Sequence, residues 1–341
     1  MYRARLDSAD LEKLNPPRSS RGTRLERGGF NFSKSAESRR ARYIRRRRSR
    51  SATLFSPRMP APPPDARTCL ATATTVARCG DDGVVLRVLP DEPFPRVRAS
   101  RFFMLRREDG SMPLVPRPFS IYRQHGAELE FLIKVMGQGS RALAALRAGD
   151  RLRVTGPLGN GWPALAPVAN EPWVMLAGGI GSAPFFMGIE QALAGMDGKP
   201  PCRPADLALL YGAARKGLLY DIDAFRQLGV RTWTATDDGS DGYRGNVLGL
   251  LESLQQRGEL PPKVRLLACG PERMLEAVER FALARGLACW LSLESLMGCG
   301  VGICNACPVP TRADGPLAAW SNAKCCVEGP VFSCTEIALA H

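Results

Sequence analysis

Three cysteines fall within nine residues: Cys299, Cys304 and Cys307 of "MGCGVGICNACPVP", interleaved with Gly298, Gly300 and Gly302. The spacing C-x4-C-x2-C is that of a plant-type [2Fe–2S] site. Three thiolates must converge on a small inorganic core while the loop wraps it and aims N–H groups at the sulfides. Glycines permit the left-handed turns and close approach that this requires. A fourth thiolate has to arrive from elsewhere, and "NAKCCVEGPVF" offers Cys325 and Cys326 after 17 or 18 intervening residues. Zinc is the rival, because it too takes four thiolates. Zinc ribbons use two C-x2-C hairpins, whereas here one C-x2-C is joined by an adjacent pair that cannot easily bind one ion together. Cys69, Cys79, Cys202 and Cys289 read as isolated core or surface thiols, with Cys334 a reserve ligand.

Other stretches could bind phosphorylated cofactors. "RPFS" (Arg117–Ser120) sets a guanidinium beside a proline-fixed strand, where it can pair with a pyrophosphate; Phe119 and Ser120 can pack on and hydrogen-bond a ring. "KVMGQGSRALAAL" runs through Gly137 and Gly139 to Ser140, which reads as the N-cap of a phosphate-holding helix. "LAGGIGSAPFF" (176–186) follows a strand pattern and opens a helix, where a dinucleotide phosphate sits in an α/β sheet. It departs from G-x-G-x-x-G, with Pro184 in the last position. "ACGPERM" (268–274) follows the last strand candidate of the alternating region, at the edge where ligands of such sheets bind. The plainer readings are a surface Arg and a glycine turn before a capped helix. Arg215 and Lys216 read either as solvated bases or as contacts to a 2′-phosphate.

The chain has 341 residues and a formal net charge of +14, which by itself would suggest a nucleic-acid partner. The charge is localised. Residues 1–58 hold 17 Lys and Arg against 5 Asp and Glu, while the remainder holds 30 against 28. The body is nearly neutral, so neither nucleic acid nor a membrane is expected as its partner. The basic segment has too little apolar periodicity to bury surface and reads as a disordered tail over 1–65. It admits three readings: an RNA- or membrane-binding arm, an organelle transit peptide, or a stretch outside the native protein if translation starts at Met59. The longest uncharged stretch, 172–189, is broken by four glycines and Pro184, which suits a strand, loop and helix better than a membrane span. Eleven cysteines without a secretory signal point to ligation or redox chemistry in a cytoplasmic protein.

These sites need elements to hold them. Short β-rich runs separated by turns over 66–168 predict a small antiparallel barrel, interrupted by a helix at 140–150. Strand and helix patterns alternate over 169–290, predicting a parallel sheet with helices on both faces. Residues 291–341 have little room for a core and need an internal staple. The expected fold class is multi-domain, β plus α/β.

In order, "RPFS", "GPLGNGW", "LAGGIGSAP", "ATDDGSDGYRGNV" and "CGPERML" resemble the ferredoxin–NADP reductase superfamily. With "LESLMGCGVGICNACPV" and "CCVEGPVF" at the end, residues 66–335 are similar to the electron-transfer subunits of dihydroorotate dehydrogenase. The resemblance implies an FAD-binding β-barrel (66–168), a NAD-binding domain (169–290) and a [2Fe–2S] module (291–341). It implies FAD held by Arg117, Pro118, Phe119, Ser120, Leu132, Ile133, Lys134, Gly139 and Ser140, with Phe119 where the superfamily often has Tyr. Gly178, Gly179 and Gly181 would face the NAD phosphates, and Cys269 the nicotinamide. The family's fourth ligand directly precedes x-x-G-P-V-F, which selects Cys326 to join Cys299, Cys304 and Cys307. The gap after Cys307 is longer than usual, and "PTRADGPLAAWSN" absorbs the excess.

The implied activity is a relay in pyrimidine biosynthesis. An FMN-containing dihydroorotate dehydrogenase catalytic subunit, in a heterotetramer with this chain, would pass electrons through the cluster and FAD to NAD+. No residue here would act on dihydroorotate, which suits a chain whose histidines are only His125 and His341. The alternative is a stand-alone NAD(P)H-dependent reductase serving an oxygenase or other redox partner. Against it, only 43 residues run from Cys299 to the end, too few for a full ferredoxin domain.

Overall fold

The structure, a computed structural model, describes residues 63–110 and 114–339. The basic segment, Met59 and His341 lie outside the described residues. Seven strands come first: β1 (Arg67–Cys79), β2 (Gly83–Pro90), β3 (Phe102–Arg107), β4 (Arg117–Ser120), β5 (Arg123–His125), β6 (Glu128–Lys134) and β7 (Arg151–Leu158). They form one antiparallel sheet in the order β4–β3–β7–β1–β2–β6–β5. The sheet curls, and its two edge strands are consecutive in the chain, separated only by Ile121 and Tyr122. A bulge between Ala73 and Thr75 adds to the bend of β1. Inside, Phe103 meets Phe94 and Phe131 edge-on, with centroids 5.1 and 5.6 Å apart. Glu130 is buried in β6, and Arg87 Nε donates to it at 2.7 Å, so the charge is paired. His125 ends β5 at the hairpin turn, as expected.

Helix α1 (Gln138–Ala144) begins earlier and is shorter than the predicted 140–150. Its N-cap is Gly137. Ser140 instead occupies the third helical position, and its hydroxyl accepts from the N–H groups of Met136 and Gly137 at 2.9 and 3.0 Å. The expected N-cap is therefore a side chain folded back on the helix start from within.

The second sheet collects β8 (Trp173–Gly178), β9 (Leu207–Ala213), β10 (Arg231–Thr236), β11 (Tyr243–Arg244), β12 (Arg265–Cys269) and β13 (Cys289–Ser292). Between them run α2 (Ala183–Ala194), α3 (Ile222–Gln227), α4 (Val247–Gln256) and α5 (Glu272–Ala284). Then come β14 (Pro308–Pro310) and β15 (Asn322–Lys324), which pair with each other, and β16 (Val331–Ser333). The sheet order is β11–β10–β9–β8–β12–β13–β16, parallel throughout except for β16. All six residues of β8 are buried, as expected of a strand covered on both faces. Asn246 caps α4, its Oδ1 accepting from the N–H groups of Leu248 and Gly249 at 3.1 and 3.0 Å.

The two sheets share a core. Trp162, beyond β7, stacks on Phe185 of α2 at 5.2 Å and 11°. Tyr122 OH and Arg123 Nη2 both donate to Asp221, at 2.6 and 2.7 Å. A second apolar cluster joins Phe102, Met104 and Leu158 of the curled sheet to Cys307, Cys326 and Phe332. Among the described residues no helix is long and apolar enough to cross a membrane.

Candidate functional site

A cavity of about 330 Å³ opens between β4, β6, the start of α1 and the loops beyond β8 and β12. The four residues of β4 (Arg117, Pro118, Phe119 and Ser120) line it, with Leu132 and Lys134 from β6 and Gly139 and Ser140 from α1. Ile133 does not. Strand alternation turns it to the opposite face, where it is fully buried in the barrel core. Gly139 lets the α1 backbone lie against Arg117, for an added Cβ would stand 2.8 Å from Arg117 Cγ. Arg117 Nη1 donates to the carbonyls of Val115 and Pro116, at 2.8 and 3.4 Å, and no carboxylate pairs with Arg117 among the described residues. An unpaired guanidinium above a glycine cradle fits a pyrophosphate, and the half-buried Phe119 fits a planar ring. These residues fit FAD.

The opposite wall contains residues that sequence reasoning missed: Glu294, Ser295 and Met297. Glu294 opens to the cleft, yet protein surrounds it closely enough for desolvation to raise its carboxyl pKa, with Lys134 opposing the rise. Their signal was available, since they directly follow β13, at the carboxyl edge of a parallel strand.

A second cavity, about 300 Å³, is lined by Gly178, Gly179, Gly212, Asp237 and Asn246, and Lys134 borders both. The expected glycine trio therefore divides. Gly178 and Gly179 face this second cavity, whereas Gly181 and Cys269 line the first. Gly181 is a packing glycine, because an added Cβ would sit 2.4 Å from the Cys269 carbonyl oxygen. Burial, and then the charge of Glu294, pushes the Cys269 thiol up, so it stays protonated. Arg215 and Lys216 are both engaged elsewhere. Arg215 Nη2 lies 2.8 Å from Asp81 and Lys216 Nζ 4.0 Å from Asp241, while the carboxylate of Asp237 borders the cavity. That environment suits an unphosphorylated ribose better than a 2′-phosphate.

The cysteine loop stands against the curled sheet. Gly300 and Gly302 have φ +72° and +82°; a Cβ on the first would meet Met104 Cγ at 2.7 Å, and on the second Val327 Cγ2 at 2.6 Å. Neither position takes an ordinary side chain. The N–H groups of Val301 and Cys304 both approach Cys299 Sγ at 3.4 Å, while Cys307 Sγ and Cys326 Sγ are 3.3 Å apart. Burial opposes ionisation of Cys299, but the N–H groups of Cys304 and Val301 bring it down to about 7. The Cys326 thiol, helped by backbone N–H groups and opposed by burial, brings Cys307 down to about 6 and is itself pushed up. Cys325 turns the other way. It is fully buried, its thiol donates to Leu293 O at 3.8 Å, and burial raises it to about 12.

Among the described residues no three His, Cys, Asp or Glu side chains converge on a single ion. Cys299, Cys304 and Cys307, spaced C-x4-C-x2-C, with Cys326 beside Cys307, would supply the four thiolates of a two-iron core. The residues fit a [2Fe–2S] cluster. Cys289 does not stand alone as expected; Cys334, just beyond β16, donates its N–H to Cys289 O at 3.0 Å, and both side chains are buried.

Residues 294–338 match the family described as the iron-sulfur cluster binding domain of dihydroorotate dehydrogenase B. Over 242 residues the chain is 34% identical to the dihydroorotate dehydrogenase B (NAD(+)) electron transfer subunit of Geobacillus thermodenitrificans, covering 70% of this chain and 86% of the relative. The chain belongs to this family. A second such electron transfer subunit, from Enterococcus faecalis, is 35% identical over 66% of this chain and 81% of its own length. Among solved structures, an NADH-dependent reduced ferredoxin–NADP oxidoreductase superposes with a TM-score of 0.65 at 21% identity, covering 79% of this chain and 90% of the other. The ferredoxin reductase of carbazole 1,9a-dioxygenase gives a TM-score of 0.54 at 21% identity, over 65% and 67%. These likenesses establish the fold. In this electron transfer subunit the matched region begins at Glu294, so it takes in the cavity wall as well as the four thiols.

Proposed function

We propose that this chain is the electron-transfer subunit of a dihydroorotate dehydrogenase, passing electrons from a catalytic subunit to NAD+ in pyrimidine biosynthesis. The observation that carries the reading is the four-cysteine set, whose Cys307 and Cys326 pack in one apolar cluster with Phe102, Met104 and Leu158 of the curled sheet that walls the first cavity. When bound, the [2Fe–2S] cluster supplies single-electron exchange, and FAD supplies the conversion between single electrons and hydride. Cys299, Cys304, Cys307 and Cys326 ligate as thiolates, two of them already held low by neighbouring N–H and thiol groups. Arg117 pairs the pyrophosphate, Gly139 admits it, and Phe119 packs on a ring. Gly178 and Gly179 receive the nicotinamide dinucleotide, Asp237 favours its unphosphorylated ribose, and Cys269, a protonated thiol in the wall of the first cavity, faces the nicotinamide. No side chain here need act on dihydroorotate itself.

The partner is an FMN-containing catalytic subunit, in a heterotetramer with two copies of this chain, and the compartment is the cytoplasm, where free thiols persist. Leu296 and Ile303, 86% and 80% exposed on the segment that carries the cysteine loop, offer the partner an apolar approach to it. The experiment is anaerobic reconstitution with iron, sulfide and FAD, followed by metal, sulfide and flavin assay and by NADH-dependent dye reduction. Dihydroorotate-dependent NAD+ reduction should appear only after the catalytic subunit is added. Zinc in place of iron, or dihydroorotate oxidation by this chain alone, would refute the assignment.

A further inference from the structure

Where the chain leaves the fourth cysteine, three parts of the molecule meet on one short segment. Val331 opens β16 opposite Ser292 of β13, Leu293 N donates to Pro330 O at 2.9 Å, and Ser292 Oγ lies 2.9 Å from Ser100 Oγ, which precedes β3. Asn160, two residues past β7, grips the same segment. Its Nδ2 donates to Glu328 O at 2.8 Å and to Val331 O at 2.7 Å, and its Oδ1 accepts from Val331 N at 2.9 Å. Its own backbone N–H donates to Gly329 O at 2.7 Å. The side-chain amide thus uses both hydrogens and its oxygen on one four-residue stretch. Gly159 makes the approach possible, since an added Cβ would stand 2.6 Å from both Gly329 O and Pro330 Cδ.

We propose that Asn160 is a positioning residue that sets the separation between the flavin cavity and the cysteine loop, and with it the rate at which single electrons pass between them. The inference rests on the FAD and [2Fe–2S] reading above. Asn160 follows β7, which pairs with β3, which pairs with β4, the strand carrying Arg117–Ser120. At the other end, Glu328 is two residues from Cys326, and Pro330 itself lines the flavin cavity. One amide therefore ties the cavity wall to the ligand strand. Electron passage weakens steeply with separation, so a slack tie slows it without removing a ligand or a flavin contact. Asn160 is exposed, so its replacement leaves both cores intact.

The test compares Asn160→Ala and Asn160→Asp with wild type in the full chain, reconstituted with both cofactors. Rates are taken per loaded cluster by anaerobic stopped flow, and amide exchange is followed over 326–333. Bleaching of the flavin by NADH should keep its wild-type rate, whereas reduction of the cluster from the flavin should slow roughly tenfold. Exchange over 326–333 should quicken. Asn160→Asp should be the more severe, because it turns a second oxygen towards the Glu328 and Val331 carbonyls. A merely structural role would lower stability or loading and leave the rate per loaded cluster unchanged. Wild-type cluster reduction in loaded Asn160→Ala, or Asp milder than Ala, would overturn the proposal alone. Failure of wild type to bind iron or flavin would overturn the functional reading with it.

Discussion

The flavin-side cavity and the cysteine loop are built by opposite means. The cavity's walls are parts of long ladders; β6 is seven residues long, β3 six, and both large sheets have seven strands. The cysteine module has three strands of three residues each, and much of what lies between them is turn. One site is held by hydrogen-bonded sheets that exist without a cofactor. The other is held by glycine turns, a shared apolar cluster and the close approach of Cys307 to Cys326. A region too small to bury its own core borrows stability from a metal and from its neighbours.

Removing a cluster ligand should have the largest effect. Cys307→Ser should take iron content close to zero and expose 294–338 to proteolysis, while NADH-dependent dye reduction through the flavin persists. Equal loss of both activities would show that the two regions are not separable in stability. Next is Arg117→Ala, which removes a charge-assisted contact from the ladder-built site. FAD should bind roughly 10- to 100-fold more weakly, with iron content unchanged, as titration of the apoprotein would read.

A pair of variants separates the two adjacent cysteines of the module. Cys326→Ala should lose the cluster, whereas Cys325→Ala should keep it and cost about 1–2 kcal/mol of stability as a small buried cavity. Iron assay and thermal melts distinguish them, and cluster loss in Cys325→Ala would reassign the ligand. The smallest effect concerns pH. Desolvation raises the Glu294 carboxyl above its ordinary value of 4.5, so the fold disfavours the charged form. Its ionisation therefore costs stability above the folded pKa, and that cost fades as pH falls through it. Glu294→Gln should melt slightly higher at pH 8, and the difference should shrink on acidification.

Much of the cavity was legible because strand β4 is nearly continuous in function. Every residue of "RPFS" reaches the same wall, being short and at the sheet edge. On β6 the resemblance implies three consecutive residues. Leu132 and Lys134 face the cavity and Ile133 cannot, because successive side chains leave opposite faces. Ser140 has the residue type and approximate place of an N-cap, but helix onset is a backbone decision taken two residues earlier, at Gln138. Gly181 shows the limit of a glycine motif. From sequence it is one of three phosphate-facing positions, yet its missing side chain makes room for the β12 turn.

The sequence by itself determined the chemistry: which thiols are close enough in the chain to share a core, which arginine sits beside a rigid proline, and where strands give way to alternating helices. Those are local properties of spacing and residue type. The folded structure added the contacts between distant segments: Cys326 turns to Cys307 as the resemblance implies while Cys325 turns to Leu293, Glu294 lines a cleft begun far earlier in the chain, and Asn160 hydrogen-bonds the segment after Cys326. Orientation across a long loop depends on what packs behind each side chain, and a linear pattern carries no such information.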